Sequence, residues 1–358
     1  MKALPSESMP AATAEATTRA GAWRARRSGQ PIARMQASLL LALIALGVLL
    51  SLMLGPTAVG PAEVWEWLLG RGEARTQLVV MQLRLPRTLL ALGVGGALGL
   101  SGALLQGLFR NPLADPGLIG VSSGAAVGAS VAIGFGAAAT APVTTLAAFL
   151  CGSLAVGCVW RIARTAGQVS VERLLLAGIA INALCGAALG MVIHIASDEA
   201  LRTLTSFTLG ALGGASLTAS CALLAVLALA SAAIPWFARR LDALILGDEG
   251  ARSLGVDVAQ LKVLLVLLTA LLVGICVALS GLIGFIGLVA PHLVRIASRP
   301  LHGQVLPGAV LLGALLLLGA DMLARTVAAP QELPVGVLTA LLGGPFFLLL
   351  LARSRGPA

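Results

Sequence analysis

The stretch that decides the fold is PGLIGVSSGAAVGASVAIGFGAAATAPVTTLAAFLCGSLAVGCVW, from Pro116 to Trp160, which has 45 residues and no charged side chain. A membrane-spanning helix needs about 20 apolar residues, so this run is long enough for two helices. Pro142 predicts the break between them, because proline ends or kinks a helix. Transmembrane strands alternate polar and apolar residues instead. The stretch therefore predicts an all-α polytopic membrane protein.

The composition of the whole chain supports the same fold class. Of the 358 residues, 58% are hydrophobic and 11% are charged, whereas soluble domains carry about 25% charged residues. Uncharged runs predict about ten spans within residues 36–354, and Thr203–Ala238 holds a half-helix and a turn at Gly210–Gly214 before its span. The other uncharged runs are Gln36–Ala62, Thr88–Phe109, Leu174–Ser197 and Val263–Val294, which holds most of two spans with a break near Ser280-Gly281. Two more spans are predicted near Val305–Arg325 and Leu333–Ala352.

Lysine and arginine are distributed unevenly among the predicted loops. Eighteen of the 24 fall in segments on one side of the membrane, and such an excess marks the cytoplasmic side. The net charge of +9 thus indicates membrane orientation and not nucleic-acid binding. An even number of spans places both termini in the cytoplasm, and residues 1–35 are predicted to form a disordered basic cytoplasmic tail.

One polar segment, LDALILGDEGARSLGVD from Leu241 to Asp257, interrupts the apolar chain. Gly247 and Gly255 are predicted to end or hinge two short helices there. A simple connector needs no apolar face, and an exposed apolar ridge on the water side of a membrane protein indicates a docking element. We expect a separate motor protein to act on this ridge. Its predicted residues are Leu244, Ile245, Leu246 and Leu254.

Motifs for catalysis and for ion coupling are scarce. The pattern GxxxxGK[ST] is absent, and neither Lys2 nor Lys262 follows a glycine, so any ATP hydrolysis is expected on another polypeptide. Asp321 is the one acid placed inside a span, and its spacing from Arg325 predicts an i,i+4 ion pair. A proton- or sodium-driven carrier and a lipid-processing enzyme remain the less favoured alternatives. The five cysteines are predicted to be buried, and we expect no metal site.

A turn signal at RNPLADPGLIG, from Arg110 to Gly120, separates two predicted helices. Its prolines stop one helix and restart the next on the inner side. The segment is either a plain helix–helix turn or a stiff constriction at the mouth of a pore, where Asn111 and Leu113 would narrow the opening.

The sequence from Gln82 to Gly128, QLRLPRTLLALGVGGALGLSGALLQGLFRNPLADPGLIGVSSGAAVG, resembles the FecCD-type permeases of bacterial ABC importers for iron-siderophores, haem and cobalamin. The resemblance covers nearly everything after residue 36. It continues through RLLLAGIAIN (Arg173–Asn182), LGDEGARSLGVDV, GLIGFIGLVAPHLVR (Gly281–Arg295), ADMLAR (Ala320–Arg325) and ELPVGVLTALLGGPFFLLLL (Glu332–Leu351).

This resemblance implies a type II importer permease of ten helices in the bacterial inner membrane. It implies a homodimer with the pathway on its axis, two cytoplasmic ATPase subunits and a periplasmic binding protein. ATP and Mg²⁺ would bind the ATPase partner, and no cofactor would bind this chain. The segment at about 241–257 would contain the coupling helices.

Residue roles also follow from the resemblance. ATPase coupling is implied for Gly247, Arg252, Leu254 and Gly255, and a cytoplasmic gate for Asn111, Leu113, Val171 and Glu172. Exposed arginines that dock the binding protein are implied at Arg84, Arg87 and Arg325. The chain departs from the family pattern at Phe207 and Ala211, and at Val171 and Glu172, where relatives often carry small polar residues.

The cargo is indicated less directly. The segment Leu201–Ser216 is similar to haem-importing members, and a wide apolar pathway suits a planar ligand such as haem. His194 is either a ligand for haem iron or a packing residue. The sequence predicts a subunit that passes an iron chelate, haem first, from a binding protein to the cytoplasm by alternating access, with ferric-siderophore and cobalamin import as alternatives.

Overall fold

The computed structural model describes residues 35–55, 59–138, 142–165 and 168–353. The predicted tail, residues 1–35, lies outside this part of the chain except for its last residue. Within the described residues the chain is helical apart from turns and one small hairpin. In that hairpin, β1 (Arg164–Thr165) pairs antiparallel with β2 (Gln168–Val169).

The helices are numbered in chain order. A π-helical turn, Val79–Arg84, precedes α4, and a 3₁₀ turn, Pro116–Ile119, precedes α5. The helices are α1 Met35–Met53, α2 Pro61–Leu68, α3 Ala74–Leu78, α4 Leu85–Phe109, α5 Val121–Gly134, α6 Pro142–Ala163, α7 Val171–Ile195, α8 Asp198–Thr208, α9 Leu217–Ala232, α10 Ile234–Leu244, α11 Gly247–Ser253, α12 Val258–Ser280, α13 Ile286–Ala297, α14 His302–Thr326 and α15 Val335–Arg353.

The predicted spans correspond to helices in the described residues. Six helical stretches are long and apolar enough to cross a membrane, and the α9–α10 pair, bent by 52°, forms a seventh. The shorter apolar helices α5, α13 and α15 bring the number of segments to ten. The predicted helix breaks near Pro142 and Ser280 are confirmed, as is the turn at Gly210–Gly214. The chain is therefore a multi-span membrane protein.

The stretch Val263–Val294 holds most of two helices, α12 and α13, as predicted, and the second is short. Helix α13 has 12 residues, which at 1.5 Å per residue gives about 18 Å, well short of a bilayer core of about 30 Å. The chain between α12 and α13 is unwound because Gly281 and Phe285 both have positive φ, at 68° and 66°.

Backbone hydrogen bonds join the end of α12 and the unwound segment, residues 281–285, to the end of α8 and the loop that follows it. Ala211 N donates to Ser280 O at 2.9 Å, and Leu282 N donates to Phe207 O at 3.3 Å. Backbone groups inside a membrane must be satisfied by protein because water is excluded there. The two helix interruptions therefore satisfy each other.

Helix α4 lies at the centre of the bundle and is packed against α9, α12, α13 and α14. Glycines allow this close packing: a Cβ at Gly99 would lie 2.1 Å from Ala309 O, and one at Gly95 would lie 2.3 Å from Gly313 O. Small residues at helical spacing thus let the backbones of α4 and α14 approach closely. By contrast, α7 is largely exposed along its length, and a Cβ at Gly186 would meet no atom within 4 Å.

The bundle has two ends, which are named here by their residues. The basal end carries Arg110 and the coupling segment, residues 241–257. The apical end carries Arg87 and Arg325. Helix α4 runs from the apical to the basal end, from Arg87 to the turn that begins at Arg110.

Candidate coupling and docking sites

The basal turn, residues 110–120, is held by its own hydrogen bonds. Arg110 ends α4 in the left-handed conformation, with φ 51° and ψ 32°. Asn111 N then donates to Gln106 O at 3.1 Å, and Asn111 Oδ1 accepts a hydrogen bond from Leu113 N at 2.9 Å. Two prolines add further restraint because their φ angles are fixed. The turn is thus restrained by its own hydrogen bonds and by its two prolines.

Gln106 ties this turn to α13. Its Nε2 donates to Ala114 O at 3.4 Å and to Leu288 O at 3.3 Å, and Arg295 donates to its Oε1. Gln106 is buried, so these partners replace the water that its amide would otherwise bind. The basal turn and α13 are therefore linked through a single side chain.

Asp115 caps the 3₁₀ turn in the second half of this segment. Its Oδ1 accepts a hydrogen bond from Gly117 N at 2.8 Å. Partial burial raises the pKa of the Asp115 carboxyl above its ordinary value, although the bond from Gly117 opposes that shift.

The four predicted gate residues lie on two segments. Asn111 and Leu113 belong to the basal turn, and Val171 and Glu172 begin α7, where Ser170 Oγ accepts a hydrogen bond from Arg173 N. The segments meet beyond these residues: Asn182 Nδ2 donates to Gly117 O at 3.0 Å. A role in gating remains a prediction for all four.

The coupling segment follows the predicted hinges. Helix α10 ends at Leu244, and α11 begins at Gly247, whose φ is +90°; Gly255, with φ +80°, follows α11. Side chains other than glycine rarely adopt such angles. Arg252 is exposed on α11. The first of the two helices is longer than predicted, because α10 begins at Ile234 as the bent continuation of α9.

The apolar ridge of the coupling segment consists of three residues, Ile245, Leu246 and Leu254, which are 55%, 67% and 62% exposed. The prediction that Leu244 belongs to this ridge was wrong. Leu244 is buried with Leu241 because both lie on the core-facing side of α10. The three remaining side chains form an exposed apolar patch at a polar end of the bundle, and such a patch indicates a docking surface.

Ion pairs attach the coupling segment to three other helices. Asp248 Oδ2 accepts a hydrogen bond from Lys262 Nζ on α12 at 2.7 Å, and Asp248 Oδ1 lies 3.9 Å from Arg110 Nη2 at the end of α4. Asp242 Oδ1 lies 2.8 Å from His302 Nδ1 on α14 and accepts from His302 N at 3.0 Å. No local sequence pattern indicates these pairings, because the partners are far apart in the chain.

The apical end holds a buried charge cluster. Arg87 Nε lies 2.7 Å from Asp321 Oδ1, and Arg325 Nε lies 3.1 Å from Asp321 Oδ2. The predicted i,i+4 pair between Asp321 and Arg325 is therefore confirmed. Arg87 Nη1 also lies 2.7 Å from Glu332 Oε2, in the loop that precedes α15. The charges at this end thus join α4, α14 and that loop.

The expectation that Arg84, Arg87 and Arg325 are exposed was wrong: they are 4%, 7% and 3% exposed. The guanidinium groups of these arginines point inward, toward hydrogen-bond acceptors of the same chain. Arg84 donates to Leu52 O, and Arg325 Nη2 donates to Ser51 Oγ at 2.7 Å. Buried arginine is retained where carboxylate and carbonyl groups satisfy it, and these three residues hold α1, α4 and α14 together.

The two residues that depart from the expected family pattern share a pocket. Phe207 and Ala211 line a cavity of about 250 Å³ at the apical end, together with the hydroxyl-bearing residues Thr203, Ser206 and Ser280. His194 is exposed on the last turn of α7, outside this lining. Metal ligation by His194 remains a prediction.

The bundle and its polar ends define a multi-span membrane protein, and similarity to known proteins identifies its family. Residues 42–353 match the FecCD transport family. Over 288 residues the chain is 51% identical to the hemin transport system permease protein HmuU of Yersinia pestis, covering 77% of this chain and 83% of that protein.

A second relative and a solved structure agree with this match. The vitamin B12 import system permease protein BtuC of Salmonella paratyphi A is 42% identical over 316 residues, covering 87% of this chain and 93% of that protein. A structure described as a metal-chelate type ABC transporter in an inward-facing conformation superposes with a TM-score of 0.80 at 32% identity. It covers 88% of this chain and 98% of that chain. The chain belongs to the FecCD transport family and is a permease of the ABC importer class.

Proposed function

We propose that the chain passes an iron chelate, haem in the first place, from a periplasmic binding protein to the cytoplasm by alternating access in an ATP-driven importer. In this proposal the basal end faces the cytoplasm of a bacterial inner membrane, with both termini on that side. The observation that carries the proposal is the exposed ridge of Ile245, Leu246 and Leu254.

The ridge suits a partner ATPase for physical reasons. Three large apolar side chains on one short segment cost free energy in water, and burial in a partner groove recovers it. Gly247 and Gly255 set the shape of the segment, and Arg252 adds a charge beside it. ATP and Mg²⁺ belong to the partner, which takes two copies in the assembly, one for each permease.

Haem is the favoured cargo because the 51% identical relative is a hemin transport permease. Cobalamin is the second candidate, since a 42% identical relative imports vitamin B12, and a ferric siderophore is the third. The apical cavity lined by Thr203, Ser206 and Ser280 offers hydroxyl groups to the polar edge of a cargo that enters there.

A homodimer accounts for the exposure of α7. Its apolar side chains Leu176, Leu184 and Met191 are each more than 60% exposed, and the small residues between them allow another helix to approach. In the proposal the pathway lies between the two copies. Its inner opening is controlled by Asn111 and Leu113 on one segment and by Val171 and Glu172 on the other.

Docking of the binding protein is assigned to the apical end. The buried arginines Arg84, Arg87 and Arg325 hold the loops of this surface in position. In the proposal, Arg202, which is exposed on α8, forms the direct ion pairs with the binding protein. The change Arg202→Glu is expected to weaken binding-protein affinity, while Arg161→Glu, an exposed arginine of α6 near the basal end, leaves it unchanged. Equal affinity for both variants would contradict this assignment.

The function is tested by uptake into vesicles that contain the chain, its ATPase and its binding protein. Addition of ATP is expected to drive accumulation of haem ahead of cobalamin and ferric siderophore, each supplied with the same binding protein. Vesicles without the ATPase serve as the control. Uphill uptake in that control would contradict the proposal and favour a secondary carrier, and preferential uptake of cobalamin would reassign the cargo.

A further inference from the structure

We propose that Asp248 is a positioning residue that transmits movement of the coupling segment to the basal turn at Arg110–Leu113. The inference rests on the proposed function, because it requires an ATPase that docks on the coupling segment. Asp248 is not part of the exposed apolar ridge, and its carboxylate contacts other parts of this chain.

The geometry places Asp248 between two helices. Its Oδ2 is bound to Lys262 Nζ at 2.7 Å, near the start of α12, and its Oδ1 faces Arg110 Nη2 at 3.9 Å, at the end of α4. Gly247, with φ +90°, turns the chain so that α11 starts beside Arg110; a Cβ at Gly247 would lie 3.6 Å from Arg110 Nη1. One carboxylate thus contacts α12 firmly and α4 loosely.

Arg110 is the residue through which the basal turn can be moved. It ends α4 in the left-handed conformation, and the predicted gate residue Asn111 follows it directly. The turn is closed by the hydrogen bond from Asn111 N to Gln106 O and by the one from Leu113 N to Asn111 Oδ1. Because these bonds make the turn stiff, a displacement of Arg110 shifts the whole turn.

The contrast between the two contacts of Asp248 explains how it can act. The Lys262 side chain is nearly buried and its contact has hydrogen-bond length, whereas Arg110 is half-exposed and 3.9 Å away. An exposed ion pair contributes little to stability, so the distance between Arg110 and Asp248 can change without a large cost to the fold. Asp248 is therefore held by α12 and free to close on, or release, the end of α4.

The test uses the full transporter, with permease, ATPase and binding protein reconstituted in vesicles. Asp248→Asn is compared with Glu249→Gln, which removes the same charge from the adjacent, exposed position of α11. We expect Asp248→Asn to bind the ATPase and to lower the amount of cargo moved per ATP hydrolysed by about fivefold, which corresponds to about 1 kcal/mol. Glu249→Gln should keep the wild-type ratio.

A second variant checks that the effect passes through Arg110. Arg110→Ala should lower the same ratio, and Arg110→Ala with Asp248→Asn should lower it no further, because both changes remove one link. The inference would be overturned if the double variant lowered the ratio of cargo to ATP by the product of the two single losses, or if Asp248→Asn kept the wild-type ratio. Either result would leave the proposed function standing. If the wild-type chain bound no ATPase, the proposed function would fail and the inference with it.

Discussion

The apical and basal ends of the molecule both join helices through a carboxylate with two cationic neighbours, but they differ in burial. At the apical end Asp321 is fully buried and lies within 3.1 Å of both Arg87 and Arg325. At the basal end Asp248 is partly exposed, with one close partner, Lys262, and one distant partner, Arg110. The two clusters have a similar arrangement of charges, but the apical cluster is buried and the basal cluster is partly exposed to water.

Burial decides what each cluster can do. A charge withdrawn from water must keep its partners, because an isolated buried ion is very costly. The apical cluster is therefore expected to persist through the transport cycle and to fix α4, α14 and the loop before α15 together. Water can replace a partner at the basal end, so contacts there can lengthen and shorten. The comparison leads to four predictions, ordered from the largest expected effect.

The change Asp321→Asn should produce the largest loss of stability. It leaves the guanidinium groups of Arg87 and Arg325 buried without their shared carboxylate, which should cost about 3–5 kcal/mol. Denaturant unfolding of the purified chain in detergent measures the loss. Glu332→Gln is the matched control, since Glu332 is half-exposed, and it should cost less than about 1 kcal/mol. Similar losses for both variants would refute the contrast between buried and exposed acids.

The change Leu246→Ser should act on partner binding and not on the fold. Loss of one apolar side chain from the interface should cost about 1.5–3 kcal/mol, or about 10- to 100-fold in Kd for the ATPase. Leu69→Ser, which alters a leucine of similar exposure beside the apical helix α2, should leave this Kd unchanged. An unchanged Kd for Leu246→Ser would remove the ridge as the docking surface.

The pair of Asp242 and His302 should give an intermediate effect on stability, because His302 is buried while Asp242 is partly exposed. Asp242→Ala removes the acceptor for both the backbone N and Nδ1 of His302, at a cost of about 1–3 kcal/mol. Asp242→Asn keeps an acceptor oxygen and should cost less. Thermal unfolding of the two variants compares them, and equal loss would show that the hydrogen bonds contribute nothing.

The smallest loss of stability is expected for Asp248→Asn, at about 1 kcal/mol, because the asparagine oxygen can still accept the hydrogen bond from Lys262 Nζ. The same substitution should have a clear effect on coupling, so stability and coupling separate at this residue. Unfolding in detergent supplies the first quantity and vesicle uptake the second. A loss of stability comparable with that of Asp321→Asn would mean that the basal cluster is as rigid as the apical one.

Much of this molecule could be predicted from local sequence. Uncharged runs located the ten segments, and the spacing of Asp321 and Arg325 predicted their pair, because both signals depend on neighbours in the chain. Gly247 and Gly255 were recognised as hinges for the same reason.

Partners that are distant in sequence could not be found in this way. Arg87 and Asp321 are 234 positions apart, and no local pattern indicates that such an arginine is buried. The assignment of Leu244 to the ridge also failed, because the bend between α9 and α10 turns that side chain toward the core. The length of α13 depends on the left-handed conformation of Phe285, and no sequence pattern predicts that conformation for a phenylalanine.

The hydrogen bonds between the loop after α8 and the break before α13 have a mechanical consequence. Ala211 N donates to Ser280 O, and Leu282 N donates to Phe207 O, so each segment supplies one donor and one acceptor to the other. Separating these two segments would leave both amide groups without their hydrogen-bond acceptors. These bonds join the apical loop to the segment that leads into the short helix α13. At its far end that helix is bonded to Gln106 through Arg295, so a continuous chain of hydrogen bonds and helix connects the apical loop with the basal turn.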